Sequence, residues 1–161
     1  MRNLIATLIA LMLFATTPVV AGDLDDGRAA YRAGDYQKAF QLFEPLAEQG
    51  DVRAQTLLGV MYFKGKGVPE DYAKAAHWYT KAAKQGDVGA QFALSGKYYN
   101  GEGVPENYVH AYAWVSIAAA RGDADGKKIK KLIVKFMSTA QIADGQKLSG
   151  ELWEKYVVPF Q

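Results

Sequence analysis

The chain has 161 residues, contains no cysteine and carries a formal net charge of +2 at pH 7. Such a balanced charge favours neither nucleic acid nor a membrane surface as the partner. The lack of cysteine excludes disulfides, catalytic thiols and thiolate-bound metals, so the fold must be stabilised by packing of apolar side chains.

The N-terminus has the pattern of a secretory signal peptide. An apolar run, Leu4 to Ala15, follows Arg2, and the small residues Val19-Val20-Ala21 come next, which predicts cleavage after Ala21 and a periplasmic or secreted protein. The alternative is an uncleaved anchor, because about 20 apolar residues can span a bilayer. No cysteine is present to accept a lipid. Cleavage leaves residues 22–161, enough for one domain, with no stable membrane insertion.

An internal repeat dominates the remaining sequence. Residues 50–85 align without a gap to residues 86–121, with identity at 17 of 36 positions. A fixed period of this length predicts a stack of similar units, each of which buries its apolar face against its neighbours. An extended binding surface is therefore favoured over a catalytic cleft.

Each repeat reads as helix, loop, helix. In residues 50–85, apolar residues at three- and four-residue steps predict two helices, joined by a loop over Gly65–Pro69 in which the glycines suit positive φ and Pro69 suits the first turn of a helix. At the joints between units, glycines are expected to end one helix and aspartates to cap the next. These residues are Gly50, Gly86 and Gly122, followed by Asp51, Asp87 and Asp123.

The flanking segments read as variant copies. Residues 22–49 contain Asp35-Tyr36-Gln37-Lys38-Ala39, which matches Asp71-Tyr72-Ala73-Lys74-Ala75 at a distance of 36 residues. Residues 122–161 predict a final helix pair, with a capping box from Ser138 to Gln141. The predicted fold is an all-α solenoid of about four antiparallel helix pairs, ending in a C-terminal helical cap.

These features resemble a known family. The string LGVMYFKGKGVPEDYAKAAHWYTKAA and its copy resemble the Sel1-like repeat, a relative of the tetratricopeptide repeat, and residues 122–161 resemble the C-terminal cap of bacterial Sel1-like proteins. The resemblance implies a non-enzymatic module that binds proteins or peptides. In the related fold, first helices line a concave groove. The register then places these residues in the groove: Arg53, Thr56, Val60, Phe63 and Lys64 from one helix, and Gly89, Phe92, Gly96, Tyr99 and Asn100 from the next. Alternatively, their aromatic rings pack adjacent helices together.

The sequence contains few signs of a catalytic site. His77 and His110 lack metal-ligand spacing, and no serine lies in a nucleophile motif. Glycan hydrolysis needs a pair of carboxylates, for which the candidates are Glu70, Asp71 and Glu106. These acids recur at one place in the repeat, just before the second helix, which favours a role at the positive end of that helix instead. Trp78 and Trp114 are expected to pack between units rather than to bind sugars. We therefore predict no catalytic residues, no metal site and no cofactor.

The densest charge run offers a second kind of partner. Lys127, Lys128, Lys130 and Lys131 could bind an anionic polymer such as peptidoglycan, or could form the solvated face of a terminal helix. Two hypotheses follow: an adaptor of the bacterial cell envelope that holds a protein or peptide in its groove, and a cell-wall binding module. A hydrolase is a distant third.

Overall fold

Eight α-helices follow one another along the part of the chain that the computed structural model describes, residues 22–160. They are α1 (Gly22–Ala33), α2 (Tyr36–Glu48), α3 (Val52–Lys64), α4 (Tyr72–Lys84), α5 (Val88–Asn100), α6 (Tyr108–Ala120), α7 (Ala124–Ile133) and α8 (Thr139–Tyr156). Short 3-10 turns, Val134–Phe136 and Val158–Phe160, follow α7 and α8. Between residues 22 and 160 no helix combines the length and apolar character needed to cross a bilayer. The predicted signal peptide, residues 1–21, lies outside the described residues.

Short polar side chains fix where the helices begin. In six cases an aspartate or asparagine side chain accepts a hydrogen bond from the backbone N–H three residues later, which satisfies one of the free amides of the first turn. These caps are Asp35, Asp51, Asp71, Asp87, Asn107 and Asp123. The predicted capping box is also present at α8, where Ser138 and Gln141 bond reciprocally. The predicted caps at the joints are therefore confirmed.

Glycines close the joints, as predicted, but the loop proline acts differently. Gly50, Gly86 and Gly122 have φ of 99°, 88° and 101°, which reverses the chain between units in the left-handed region. The prediction that Pro69 lies in the first turn of a helix was wrong. Because Asp71 caps α4, Pro69 precedes the helix and belongs to the loop.

Successive helices pack in chain order, so the predicted solenoid of helix pairs is confirmed. The last unit departs from this order, because α7 and α8 both pack against α6. The cause is the largely apolar sequence of α6. Every residue of this helix from Ala111 to Ala119 is buried. A helix that is apolar on all sides must be covered on all sides. The final two helices supply that cover in place of another repeat.

Three apolar clusters make a core that runs from unit to unit. The first centres on Phe43, Leu58 and Met61, and the second on Tyr79, Leu94 and Trp114. The third contains Tyr112, Val115 and Ile133 from α6 and α7. Trp78 packs against the first cluster and Trp114 is 4% exposed, so both tryptophans take part in packing.

Buried glutamines tie consecutive units together. Gln55 donates through Nε2 to the Ala47 carbonyl at 3.0 Å, and its Oε1 accepts from Gln85 Nε2 at 2.8 Å. In the next unit, Gln91 donates to the Ala83 carbonyl at 3.2 Å, but its buried Oε1 has no partner among the described residues. The reason is that Arg121 occupies the position equivalent to Gln85 and donates to the Gly86 carbonyl.

Replacing Arg121 with glutamine should therefore complete the second copy of this bond. Arg121→Gln is expected to raise the free energy of unfolding by about 1 kcal/mol, because a buried acceptor gains a donor. Urea denaturation monitored by circular dichroism measures the change. Gln85→Arg is the reciprocal control and should lower stability by a similar amount, since Gln55 Oε1 loses its donor. A lower stability for Arg121→Gln would contradict the interpretation.

Candidate functional site

A cavity of about 420 Å³ opens on the side of the solenoid formed by α3, α5 and α7. Helix α5 forms its floor, and its walls come from α3, from Tyr79 of α4, from the loop after α5 and from α7. Most of the lining is apolar, with a few polar groups at one end. The lining residues are Phe63, Tyr79, Phe92, Ala93, Ser95, Gly96, Lys97, Tyr99, Asn100, Glu102, Ile129, Leu132 and Ile133. This size and composition are typical of ligand-binding sites in proteins.

A missing side chain opens this cavity. Gly96 stands in the middle of α5, where a Cβ atom would meet nothing within 4 Å. At the equivalent position of the preceding unit, Val60 is partly buried and packs against the apolar core. Glycine in a helix interior costs about 0.5–1 kcal/mol relative to alanine, so the sequence accepts a local loss of stability at the point where the surface is hollow.

A buried lysine lies at the polar end of the cavity. Lys97 is 5% exposed and occupies the position held by Met61 and Ile133 in the neighbouring units, both of which are core residues. Its ammonium forms an ion pair with Glu102 and lies 3.3 Å from the centre of the Phe63 ring. The charge is thus compensated by a carboxylate and an aromatic face, as a buried ammonium requires.

The partner of this lysine is also held in place. Asn100 Nδ2 donates to Glu102 Oε1 at 3.2 Å, while the other carboxylate oxygen faces Lys97. In the preceding unit, the residue equivalent to Glu102 is Lys66. The exchange of Met61 and Lys66 for Lys97 and Glu102 therefore converts an apolar core position into a neutral ion pair beside the cavity.

Burial also affects a tyrosine in the cavity wall. Tyr79 is 3% exposed, and desolvation raises its pKa above the ordinary value of a phenol. The uncharged phenol is thus the form that this buried position favours.

The structure distributes the predicted groove residues over four environments. Phe63, Phe92, Tyr99 and Asn100 line the cavity together with Gly96. Arg53 and Thr56 line a separate depression with Arg28, Leu57 and Asp87. Val60 packs against the core, whereas Gly89 and Lys64 are exposed outside both depressions. The rings of Phe92 and Tyr99 also pack against the third core cluster.

Sequence reasoning missed Lys97, Glu102 and the α7 wall formed by Ile129, Leu132 and Ile133. A signal for Lys97 was present, because a lysine falls on a buried stripe exactly one repeat after Met61. The α7 wall had no comparable signal, since the fourth unit diverges from the repeat.

The lysine run divides in the structure. Lys127, Lys130 and Lys131 line a depression of about 510 Å³, together with Ser116, Ala119, Ala120 and Val134. Ser116 is buried, and its Oγ has no hydrogen-bond partner among the described residues. Lys128 instead pairs with Asp125 at 3.1 Å on an exposed surface.

The residues considered for catalysis are scattered. His77 is exposed, whereas His110 lies against the Tyr98 ring with 4.9 Å between ring centres. Asp71 serves as a helix cap, and a hydrogen bond to the Glu70 carboxylate raises the pKa of Tyr72. No group of three or more metal-binding side chains occurs in residues 22–160.

Comparisons with known proteins agree with this architecture. The family model described as Sel1 repeat matches residues 25–51, 52–87 and 88–123. The chain is similar to the crystal structure of c5321, described as a protective antigen of uropathogenic Escherichia coli strains with an SLR fold, at 33% identity and a TM-score of 0.81. This similarity covers 85% of the present chain and 30% of c5321.

A second solved structure, a Sel1 repeat protein from Oxalobacter formigenes, is 30% identical, with a TM-score of 0.67. The similarity covers 80% of the present chain and 55% of that protein. The chain thus spans less than two thirds of either structure. No match was found among curated proteins.

Removing each partner of the buried ion pair should have unequal effects. Glu102→Gln is expected to lower the free energy of unfolding by about 3 kcal/mol, because it leaves the Lys97 ammonium buried beside a neutral group. Lys97→Met should change it by less than about 1 kcal/mol, because methionine already fills the equivalent core position at Met61. Chemical denaturation of both variants provides the measurement. Equal losses would show that Lys97 is not buried in solution.

Proposed function

Because the chain belongs to the Sel1 repeat family, we propose that it is a non-catalytic adaptor of the bacterial cell envelope that holds a protein segment in the cavity on α5. Sel1 repeats generally mediate protein–protein interaction. The observation that carries the proposal is the hollow at Gly96. Apolar side chains, among them Phe63 and Leu132, line this hollow. A segment with one or two apolar side chains would bury that surface.

The polar end of the cavity supports a protein segment over a purely apolar ligand. Asn100 and Glu102 lie at the edge of the apolar walls, where they would hydrogen-bond to backbone amides or polar side chains of the occupant. A few placed polar groups around an apolar pocket typically fix the orientation of a ligand. The Lys97–Glu102 pair is electrically neutral, so it does not select an anionic ligand.

We also propose that the protein is exported. The support is the sequence of residues 1–21, with its apolar run and the small residues before Gly22. Expression of the full chain in a bacterium should yield a periplasmic or secreted protein whose N-terminal residue is Gly22, as read by N-terminal sequencing. A chain that retains Met1 in the membrane fraction would support an anchor instead.

The adaptor proposal is tested by filling the hollow. Gly96→Leu places a side chain in open space, so it should preserve the fold while blocking the cavity. In-cell crosslinking followed by mass spectrometry is expected to identify a protein partner with the wild type. The partner is then purified. Gly96→Leu should raise the Kd for this partner by about tenfold or more, because the leucine side chain occupies the centre of the contact.

Gly96→Ala is the matched control, since alanine removes the helix penalty of glycine but adds only one methyl group. It should retain most of the binding, and thermal unfolding of both variants verifies their stability. A partner bound equally by wild type and Gly96→Leu would refute the proposed site.

A cell-wall module is the second candidate, favoured by one observation. Lys127, Lys130 and Lys131 surround a depression that also contains the unpartnered Ser116 hydroxyl, a combination suited to an anionic group. The same crosslinking experiment distinguishes this candidate. Recovery of peptidoglycan fragments that is lost on changing the three lysines to glutamine, but retained in Gly96→Leu, would favour the cell wall as the ligand.

A further inference from the structure

Each of the first three units contains a pair of aromatic rings in the same place. One ring belongs to the first helix of the unit, and the other is the tyrosine that begins the second helix. The two ring centres of a pair are 5.1 Å apart in the first unit, 5.7 Å in the second and 5.5 Å in the third. We call these the first, second and third aromatic pairs: Tyr31–Tyr36, Phe63–Tyr72 and Tyr99–Tyr108.

The first two pairs each hold an ammonium group supplied by the following unit. The Lys66 ammonium lies 5.2 and 4.4 Å from the two ring centres of the first pair, and donates to the Tyr36 hydroxyl at 2.9 Å. The Lys97 ammonium lies 3.3 and 5.5 Å from the ring centres of the second pair. Both lie within the roughly 6 Å at which a cation is attracted to an aromatic face. Lys66 and Lys97 do not stand at equivalent positions of their units. The cation is therefore a property of the aromatic pair and not of one repeated lysine position.

The third pair receives an aromatic ring instead. Phe136, from the 3-10 turn after α7, lies 6.1 Å from the Tyr99 ring and 6.4 Å from the Tyr108 ring, measured between centres. Within residues 22–160 no ammonium or guanidinium group lies over Tyr99 or Tyr108. Within the described chain, the third pair thus lacks the ammonium group that the first two pairs hold, and the Phe136 ring lies farther from it than Lys66 and Lys97 lie from theirs.

The cluster presents open ring surface that is suited to a cation, because Phe136 is exposed and Tyr99 and Tyr108 are only partly buried. Phe136 is 58% exposed, which is unusual for a large apolar residue that already contacts two other rings. The three ring centres form a triangle with sides of 5.5–6.4 Å, so a cation above its middle lies within about 6 Å of every ring. Desolvation and the neighbouring Glu106 carboxylate, which accepts a hydrogen bond from Tyr108, raise the pKa of that phenol. An acidic side chain therefore lies beside the rings.

This aromatic cluster adjoins the cavity on α5. Tyr99 belongs to both, and Leu132 of the cavity wall lies one helical turn before Phe136 in the sequence. A segment bound in the cavity therefore passes within reach of the three rings. A neutral side chain would gain only apolar contact there, whereas a basic side chain would gain the attraction that the chain uses internally at its first and second pairs.

We propose that Tyr99, Tyr108 and Phe136 bind a lysine or arginine side chain of the protein segment that occupies the neighbouring cavity. The inference rests on the proposed function, because the segment is the adaptor's partner. It specifies the chemistry of that partner as an apolar residue close to a basic one. Exposed cation–aromatic contacts of this kind correspond to about a twofold to fivefold gain in affinity.

The experiment uses a probe that needs no partner. Protein with ¹³C-labelled aromatic rings is titrated with N-acetyl-lysine methylamide and, separately, with N-acetyl-norleucine methylamide, which lacks the ammonium group. The lysine probe is expected to shift the ring signals of Tyr99, Tyr108 and Phe136 in a saturable manner, about twofold to fivefold more tightly than the norleucine probe. The ring signals of Tyr31 and Tyr36 should not shift, because Lys66 already occupies that pair.

Two variants at the exposed position sharpen the test. Phe136→Leu removes one ring and should weaken the lysine probe by about twofold or more. Phe136→Lys supplies an internal ammonium to the third pair and should abolish probe binding. Equal binding of the lysine and norleucine probes to the wild type, or no shift of the three rings, would overturn the inference whatever the variants do.

The outcome is separable from that of the adaptor proposal. If Gly96→Leu releases the protein partner but the lysine probe does not bind, the cavity is the docking site and the cation site is wrong. If the lysine probe binds to Phe136 but Gly96→Leu retains its partner, the cation site exists and the cavity is not where the partner binds.

Discussion

The close approach of each loop to the preceding unit is the constraint on which the structure depends. At Gly103 a Cβ atom would overlap the Tyr72 carbonyl, and Gly67 stands in the same relation to Tyr36. Only glycine permits a loop to lie this close to the first turn of another helix, so the spacing between units is set by these two contacts. The same approach carries Lys66 over the first aromatic pair and brings α5 against the second. One repeated backbone contact, between a loop glycine and a tyrosine carbonyl, therefore sets both the packing between units and the position of the lysines on the aromatic faces.

On that fixed framework, two adjacent differences on α5 create the candidate site. Where the preceding unit has Val60 and Met61, this helix has Gly96 and Lys97. Loss of the valine side chain opens the surface at Gly96, and the lysine places an ion pair at its edge. Neither change touches the glycine contacts or the helix caps, which explains how a repeat can acquire a distinct surface without losing its fold.

The features that sequence predicted well are those that depend on near neighbours. Asp51 and Ser138 cap helices through amides three residues away, and a period of 36 residues is visible by inspection. Pro69 was misplaced because the N-cap belongs to Asp71, and a cap overrides the preference of proline for a first turn. The groove register named residues of the first helices, but it did not predict where their surface is hollow. That depends on the side chain absent at Gly96 and on the α7 wall, which no repeat pattern specifies.

The end of the solenoid determines where a partner can bind. Helix α6 is apolar on every side, so it must be covered, and α7 and α8 cover it in a manner that differs from the repeats. The fourth unit lacks the long loop. Within residues 22–160, therefore, no lysine equivalent to Lys66 reaches the third aromatic pair, and Phe136 from a 3-10 turn lies there instead. The same helix α7 supplies the wall of the cavity. The capping unit therefore leaves the last repeat with an open cavity beside an aromatic cluster that holds no ammonium group from residues 22–160. Changes at these two places can alter what the chain binds without disturbing the glycine contacts and helix caps that hold the repeats together.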